Sequence, residues 1–207
     1  MAADEVGPRI AVGLGVDEEH VVADLGLGAF VVIARHRHRV GIRGVVGEQQ
    51  CVDAVCGVHR GIALRAPVIS ELLALGHEVL DLGTDSPMPR VDYPDKALDL
   101  GEALRVGRVE RGVLVCGSGV GAAIAANKIP GVRACLCHDT LTVRLGVERD
   151  DLNVLCLGPD VVGKPLVREI VRAFAEAELV GGERYQRRLE KLEALERLTP
   201  DAHGIMR

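Results

Sequence analysis

From about Val55 onward, short apolar runs alternate with longer stretches whose apolar residues recur at helical spacing. Continuous apolar runs of four to six residues are typical of strands buried on both faces. They occupy residues 54–57, 77–82, 112–116, 132–137 and 153–157. Helices are predicted between them, over residues 62–75, 93–106, 122–127, 140–146 and 165–177. This order predicts an α/β fold: an open, five-stranded parallel sheet covered by helices on both faces, with ligands binding beyond the carboxyl ends of its strands.

The two ends of the chain depart from this alternation. Residues 1–54 contain Gly-rich apolar pieces and the basic run RHRHR at 35–39, but no period or cap connects them to the rest. We interpret RHRHR as a solvated loop, with a metal or anion site as the alternative. Residues 183–198 predict an amphipathic C-terminal helix that needs a surface, either its own domain or a partner subunit. The chain is therefore divided into an N-terminal extension of uncertain structure (1–54), a domain (55–198) and a tail (199–207).

Composition excludes several classes of function. The formal net charge of −5 and the 2% aromatic content argue against broad binding to nucleic acid. No apolar stretch is long enough to cross a bilayer and no signal-peptide pattern is visible, so a cytoplasmic location is expected. The six cysteines match neither a zinc-site spacing nor a CxxC pair, and four of them lie in apolar runs. We therefore expect reduced thiols and no metal.

The segment that carries chemistry is VLVCGSGVGAAIAANKIPG, Val113–Gly131. A buried strand ends at Cys116, and a glycine loop, Gly117–Gly121, leads into a short helix. Glycines allow several N–H groups to point into one concavity, where they bind an anion and favour a neighbouring thiolate. A base beside such an anion hole is what enolisation next to a carbonyl requires.

Two other interpretations of this segment stay open on its residues alone. Gly117-x-Gly119-x-x-Ala122 has the spacing of a dinucleotide fingerprint, with Asp139 as the acidic residue that binds a ribose hydroxyl. Alternatively, Cys116 is a core residue and the loop is only a turn.

A resemblance favours the first interpretation. CGSGVGAAIAANKIPGVRACLCHDT, at 116–140, resembles the ribose-5-phosphate isomerase B / galactose-6-phosphate isomerase family almost residue for residue. So do the segments GHEVLDLGT (76–84), VDYPDKA (91–97), DDLNVLCLG (150–158) and GGERYQRRLEKLEALE (181–196). The resemblance implies a Rossmann-like three-layer α/β/α domain that isomerises a phosphorylated sugar. It also implies a homodimer or dimer of dimers with active sites across the interface, and neither a metal nor an organic cofactor.

The resemblance also assigns roles to individual residues. Cys116 resembles the catalytic base, and Ser118 with the amides of the loop resembles the part that stabilises the enediolate. That loop is Gly117, Ser118, Gly119, Val120 and Gly121. The residues that resemble substrate or phosphate contacts are His59, Asp92, Tyr93, Asn127, Arg184 and Arg188. Arg184 and Arg188 are four apart on a predicted helix, so they share a face and could clamp one phosphate; a solvated basic face is the alternative.

Three polar positions depart from the family pattern. Val58 replaces an aspartate, Arg149 replaces a histidine linked to ring opening, and Asp160 replaces a phosphate-contacting arginine. His138 is a candidate replacement for the ring-opening group. The expected reaction is ribose 5-phosphate to ribulose 5-phosphate, in the pentose phosphate pathway. The alternatives are a four-carbon substrate of the erythrulose 4-phosphate type, a non-catalytic sugar-phosphate-binding paralogue, and, third, a nucleotide-binding oxidoreductase.

Overall fold

The computed structural model describes residues 22–23, 30–31, 52–84 and 90–198. Two short strands, β1 (Val22–Ala23) and β2 (Phe30–Val31), pair antiparallel. The RHRHR run and the tail 199–207 lie outside the described residues.

The main sheet has five strands, and all of them are parallel. They are β3 (Val52–Gly57), β4 (Glu78–Asp81), β5 (Arg111–Val115), β6 (Ala134–Leu136) and β7 (Val154–Leu157), in the spatial order β4-β3-β5-β7-β6. The predicted five-stranded parallel sheet is confirmed. β5 is the third of the five strands, so the glycine loop that follows it lies in the middle of the carboxyl edge.

Helices lie on both faces of the sheet, as predicted. They are α1 (Ile62–Ala74), α2 (Tyr93–Arg105), α3 (Val120–Ala126), α4 (Thr140–Asp150), α5 (Lys164–Glu176) and α6 (Glu183–Glu196). Alternate strand residues point to opposite faces, so β5 contributes Val113 and Val115 to one core with α1, α4 and α5. It contributes Leu114 to a second core with α2 and α3. The domain is therefore a three-layer α/β/α sandwich.

The observed helix ends agree with the sequence signals at α1 and differ from them at α5 and α4. Gly76 has a φ of 78°, which suits the residue after a helix end, as predicted for α1. Pro165 is the second residue of α5 rather than its first, because the helix begins at Lys164. α4 runs four residues beyond the predicted end and stops where Asp151 adopts a left-handed conformation, φ 51°. Gly146 does not end the helix, and Leu152 packs against that glycine.

The C-terminal helix α6 packs on its own domain. Leu189 is its buried residue, and Leu189 lines a shallow groove together with Arg133 and Asp151. Arg133 and Asp151 precede β6 and β7, so this part of α6 lies at the amino edge of the sheet, opposite the glycine loop. Leu192 and Leu195 remain 40% and 59% exposed. No helix among the described residues is long and apolar enough to cross a bilayer.

Candidate active site

Cys116 lies immediately after β5, at the carboxyl edge of the sheet. Its side chain is 6% exposed, and its Sγ accepts a hydrogen bond from the Gly119 N–H at 3.1 Å. The backbone N–H of Cys116 donates to Leu157 O on β7, which fixes the residue to the sheet. The thiol is therefore held at the lip of the loop and is stabilised there by a backbone donor.

The loop leaves backbone donors beside this thiol. Among the described residues, no acceptor pairs with the N–H groups of Gly117 and Ser118. Buried backbone N–H groups are almost always paired, and Gly117 is buried. Two such donors next to a thiol form a site that suits an oxyanion.

Close packing explains why the loop contains glycine. Gly119 has a φ of 85°, and a Cβ there would lie 2.5 Å from Leu136. Behind the loop, a Cβ at Gly158 would lie 2.3 Å from Gly117 O. The end of β7 therefore supports the loop directly. Ser118 Oγ accepts a weak hydrogen bond from Val120 N–H at 3.4 Å, which links the loop to the start of α3.

Tyr93 and Asp92 are brought to the same loop by α2. A Cβ at Gly121 would lie 2.9 Å from Tyr93 Cζ, so the phenol ring covers that glycine. Tyr93 is 43% exposed. Asp92 is the N-terminal cap residue of α2, but its carboxylate makes no capping bond and is exposed. Tyr93 therefore lies against the loop, and Asp92 is its neighbour in the chain.

Two charged residues also meet at the loop. Arg60, in the 3₁₀ turn His59–Gly61 after β3, forms an ion pair with Asp160, at 2.5 Å from Nη2 to Oδ2. Sequence reasoning identified Asp160 only as a departure and missed Arg60. The available signal was the position of Arg60 just beyond the end of a strand, in the turn that also contains His59.

Val58, the departure in the first-strand motif, is a core residue. It is 4% exposed in the same hydrophobic cluster as Cys116, and its N–H donates to Val115 O at 3.0 Å. The adjacent turn keeps the backbone of His59 at the carboxyl edge because Gly61 packs tightly on Val115: a Cβ at Gly61 would lie 2.4 Å from Val115 O.

Asn127, at the C-terminal end of α3, connects this helix to the start of β6 through its side chain. Its Nδ2 donates to Ala123 O at 3.0 Å and to Ala134 O at 2.7 Å, and its Oδ1 accepts from Ala134 N at 2.9 Å. Ala134 is the first residue of β6, so these bonds fix the start of that strand. Both Nδ2 donors and Oδ1 are therefore engaged, at the edge of the sheet opposite Cys116.

The remaining expected residues are more distant from Cys116 within this chain. His138 is exposed and follows β6, which is separated from β5 by β7. Arg149 is exposed in the last turn of α4. Arg184 and Arg188 are exposed on α6, and no hydrogen bond or ion pair among the described residues joins either of them to the loop.

The dinucleotide interpretation does not match this geometry. Asp139 follows β6, which pairs with β7 and not with β5. Both of its carboxylate oxygens bind Thr142, one at the backbone N–H and one at the hydroxyl, each at 2.7 Å. These hydrogen bonds lower the pKa of Asp139 and cap α4. The Asp139 carboxylate is engaged with Thr142 and lies two strands from the glycine loop. It therefore cannot bind the hydroxyl of a ribose at that loop.

The surroundings of three other thiols change their pKa values. Burial raises the pKa of Cys56 to about 12, and its Sγ contacts Lys96 O at 3.3 Å. Burial also raises the pKa of Cys156. A hydrogen bond from Cys137 lowers the pKa of Cys135 to about 7. Among the described residues, no cluster of three or more His, Cys, Asp or Glu side chains could hold a metal ion.

Comparison with known proteins places residues 54–192 within the model of one family, described as Ribose/Galactose Isomerase. The ribose-5-phosphate isomerase B of Escherichia coli (strain K12) is 41% identical over 138 residues, which are 67% of this chain and 91% of that protein. The D-erythrulose-4-phosphate isomerase of Pectobacterium atrosepticum is 37% identical over 121 residues, 58% of this chain and 80% of that protein.

Solved structures show the same relationship. Ribose-5-phosphate isomerase B from Clostridium thermocellum has a TM-score of 0.67 and 39% identity, covering 70% of this chain and 97% of that one. The enzyme of that name from Mycoplasma genitalium, solved with bound ribulose-5-phosphate, has a TM-score of 0.67 and 34% identity, covering 72% of this chain and 97% of that one.

Proposed function

Because this chain belongs to the Ribose/Galactose Isomerase family, we propose that it interconverts an aldose phosphate and the corresponding ketose phosphate. The observation that carries the proposal is the arrangement at the end of β5. A buried thiol accepts a hydrogen bond from Gly119 N–H and lies beside the N–H groups of Gly117 and Ser118.

In the proposed mechanism, the Cys116 thiolate removes the proton from C2 of the open-chain aldose. The electron pair moves into the C1–C2 bond, and the charge that develops on the carbonyl oxygen is stabilised by the N–H groups of the loop. The thiol then returns the proton to C1, while the O2 hydroxyl gives up its proton and O1 takes one up, which gives the ketose. One proton moves from C2 to C1 and one from O2 to O1, with no net change of oxidation state, so the reaction needs no redox cofactor.

Ribose 5-phosphate is the proposed substrate, and the relatives named ribose-5-phosphate isomerase B support it. An observation favours a four-carbon substrate as the second candidate. Arg149 stands where a ring-opening histidine is expected, and it lies exposed in the last turn of α4. A four-carbon sugar phosphorylated at C4 has no free hydroxyl that could close a furanose ring, so it has less need of ring opening. The relative named D-erythrulose-4-phosphate isomerase supports this alternative.

A second copy of the chain is part of the proposal. Val120 and Ile124 expose 48% and 59% of their side chains on α3, directly after the loop. An apolar surface at this position suits contact with another subunit. Such a dimer could bring Arg184 and Arg188 of one copy to the loop of the other, and they would bind the phosphate there. No metal and no organic cofactor takes part, and the expected location stays cytoplasmic.

The test is an assay of the full-length chain against aldose and ketose phosphates of four, five and six carbons. The reaction is run in D₂O, where proton transfer through an enediolate incorporates solvent deuterium at the carbon that receives the proton. Turnover with deuterium incorporation supports the proposal. Binding without turnover would favour a non-catalytic paralogue. A thermal shift with NAD or NADP, and none with any sugar phosphate, would favour the oxidoreductase.

A further inference from the structure

The ion pair at the glycine loop joins two residues that are distant in sequence. Arg60 and Asp160 lie a hundred positions apart, in the turn after β3 and in the loop after β7. Both strands neighbour β5 in the sheet. The pair therefore stands across the end of β5, directly above the segment that carries Cys116.

Arg60 also contacts the loop itself. A Cβ at Gly117 would lie 2.8 Å from Arg60 Cζ and 2.9 Å from Arg60 Nε, so the guanidinium lies over this glycine. Gly117 directly follows Cys116, and adjacent Cα atoms are separated by only about 3.8 Å. A positive charge is therefore fixed within one residue of the thiol.

Asp160 contacts the same glycine through its backbone. Its N–H donates to Gly117 O at 3.1 Å, so its position relative to the loop is set by the backbone. A carboxylate beside the loop repels an anion bound there unless a cation lies between them. Arg60 provides that cation.

The pair is open to solvent. The side chains of Arg60 and Asp160 are 63% and 46% exposed. Exposed ion pairs contribute little to stability, because water competes for both charges and two side chains lose freedom. Arg60 can therefore exchange Asp160 for a stronger anionic partner at small cost. A phosphate carries more charge than a carboxylate and binds two guanidinium donors at once.

We propose that Arg60 is a substrate-binding residue that pairs with the phosphate of the sugar phosphate at the glycine loop, and that Asp160 competes with the substrate for it. This inference rests on the proposed function, since it takes a sugar phosphate as the ligand. Arg60 would select substrates whose phosphate reaches the rim of the loop when the reacting carbons lie at Cys116.

The experiment measures binding and turnover in the full-length chain and its variants. Calorimetry gives the Kd of inorganic phosphate, and the assay gives KM and kcat for the best sugar phosphate. Arg60→Met removes the charge and keeps most of the length of the side chain. We expect Kd and KM to rise roughly tenfold or more, with kcat nearly unchanged, and Arg60→Lys to recover part of the loss.

Asp160→Asn tests the competition. The neutral amide should tighten phosphate binding, and this gain should vanish when Arg60→Met is also present. An equal gain in both backgrounds would mean that Asp160 only repels the anion, and would overturn the role of Arg60.

Arg144→Met is the matched control. Arg144 is 55% exposed and pairs with Glu148 at 3.7 Å within α4, so its loss should leave Kd and KM unchanged. The proposal is overturned if Arg60→Met binds phosphate as the parent does, if it only lowers the melting temperature, or if the parent binds no phosphate at millimolar concentration. Because phosphate binding is measured without turnover, a protein that isomerises no sugar phosphate disproves the proposed function separately.

Discussion

Gly158 should support the glycine loop from behind, and replacing it with alanine tests this directly. The added Cβ would lie 2.3 Å from Gly117 O, 2.4 Å from Ser118 C and 2.6 Å from Ser118 Cα. All three atoms belong to the backbone of the loop, so no side chain can rotate away to relieve the contact.

The size of the effect follows from the distances. Ordinary contacts begin near 3.4 Å, so the loop must move by about 1 Å to accommodate the methyl group. Overpacking of this kind costs about 1–3 kcal/mol of unfolding free energy. A displacement of about 1 Å at reacting groups lowers the rate by roughly a hundredfold. We therefore expect Gly158→Ala to lower kcat/KM by about that factor, although the variant retains the Cys116 thiol.

Gly163→Ala is the control on the same connection between β7 and α5. Its Cβ would meet only Pro165 Cδ, at 3.8 Å, and the φ of Gly163 is −84°, which alanine adopts readily. Urea denaturation gives the unfolding free energy of both variants, and the isomerase assay gives kcat/KM. If Gly158→Ala matched Gly163→Ala in both measurements, the loop would be free to move and the role of Gly158 as its support would be refuted.

Four further predictions can be checked with the same methods. Cys116→Ser should lower kcat by orders of magnitude while circular dichroism shows an intact fold; normal turnover would remove Cys116 from the mechanism. Arg184→Ala or Arg188→Ala should each weaken substrate binding by about 1.5–3 kcal/mol, seen as a raised KM, and two unchanged KM values would leave α6 a packing helix with a solvated face. A chain that starts at Val52 should retain the activity of the full chain, and an inert or insoluble product would make residues 1–51 part of the domain. Alkylation of Cys135 by iodoacetamide should accelerate as the pH rises through about 7, because a neighbouring thiol lowers its pKa and the thiolate is the reactive form; a rate that rises only above pH 8 would contradict this.

Much of the architecture was predictable because its signals are local. The buried strand predicted at residues 112–116 is observed as β5 (Arg111–Val115), at the centre of the sheet. The glycine loop after it leads into a short helix. Apolar spacing located α1, α2 and α5 to within one residue at each end. The position of Cys116 at the carboxyl edge followed from the same pattern, since the residue comes directly after that strand and before the glycine loop.

Long-range packing accounts for the rest. The continuous apolar runs indicate that each strand is buried, but they do not give the spatial order β4-β3-β5-β7-β6. That order brings Arg60 to Asp160 and Gly158 against Gly117. It also separates Asp139 from the glycine loop and thereby excludes the dinucleotide interpretation. The sequence by itself determined the strands, the loop and the thiol, because each depends on neighbours along the chain. Only the tertiary structure decided which charges and which backbone atoms meet at that thiol. Those contacts join segments that are far apart in sequence, and the order of the strands in the sheet brings these segments together.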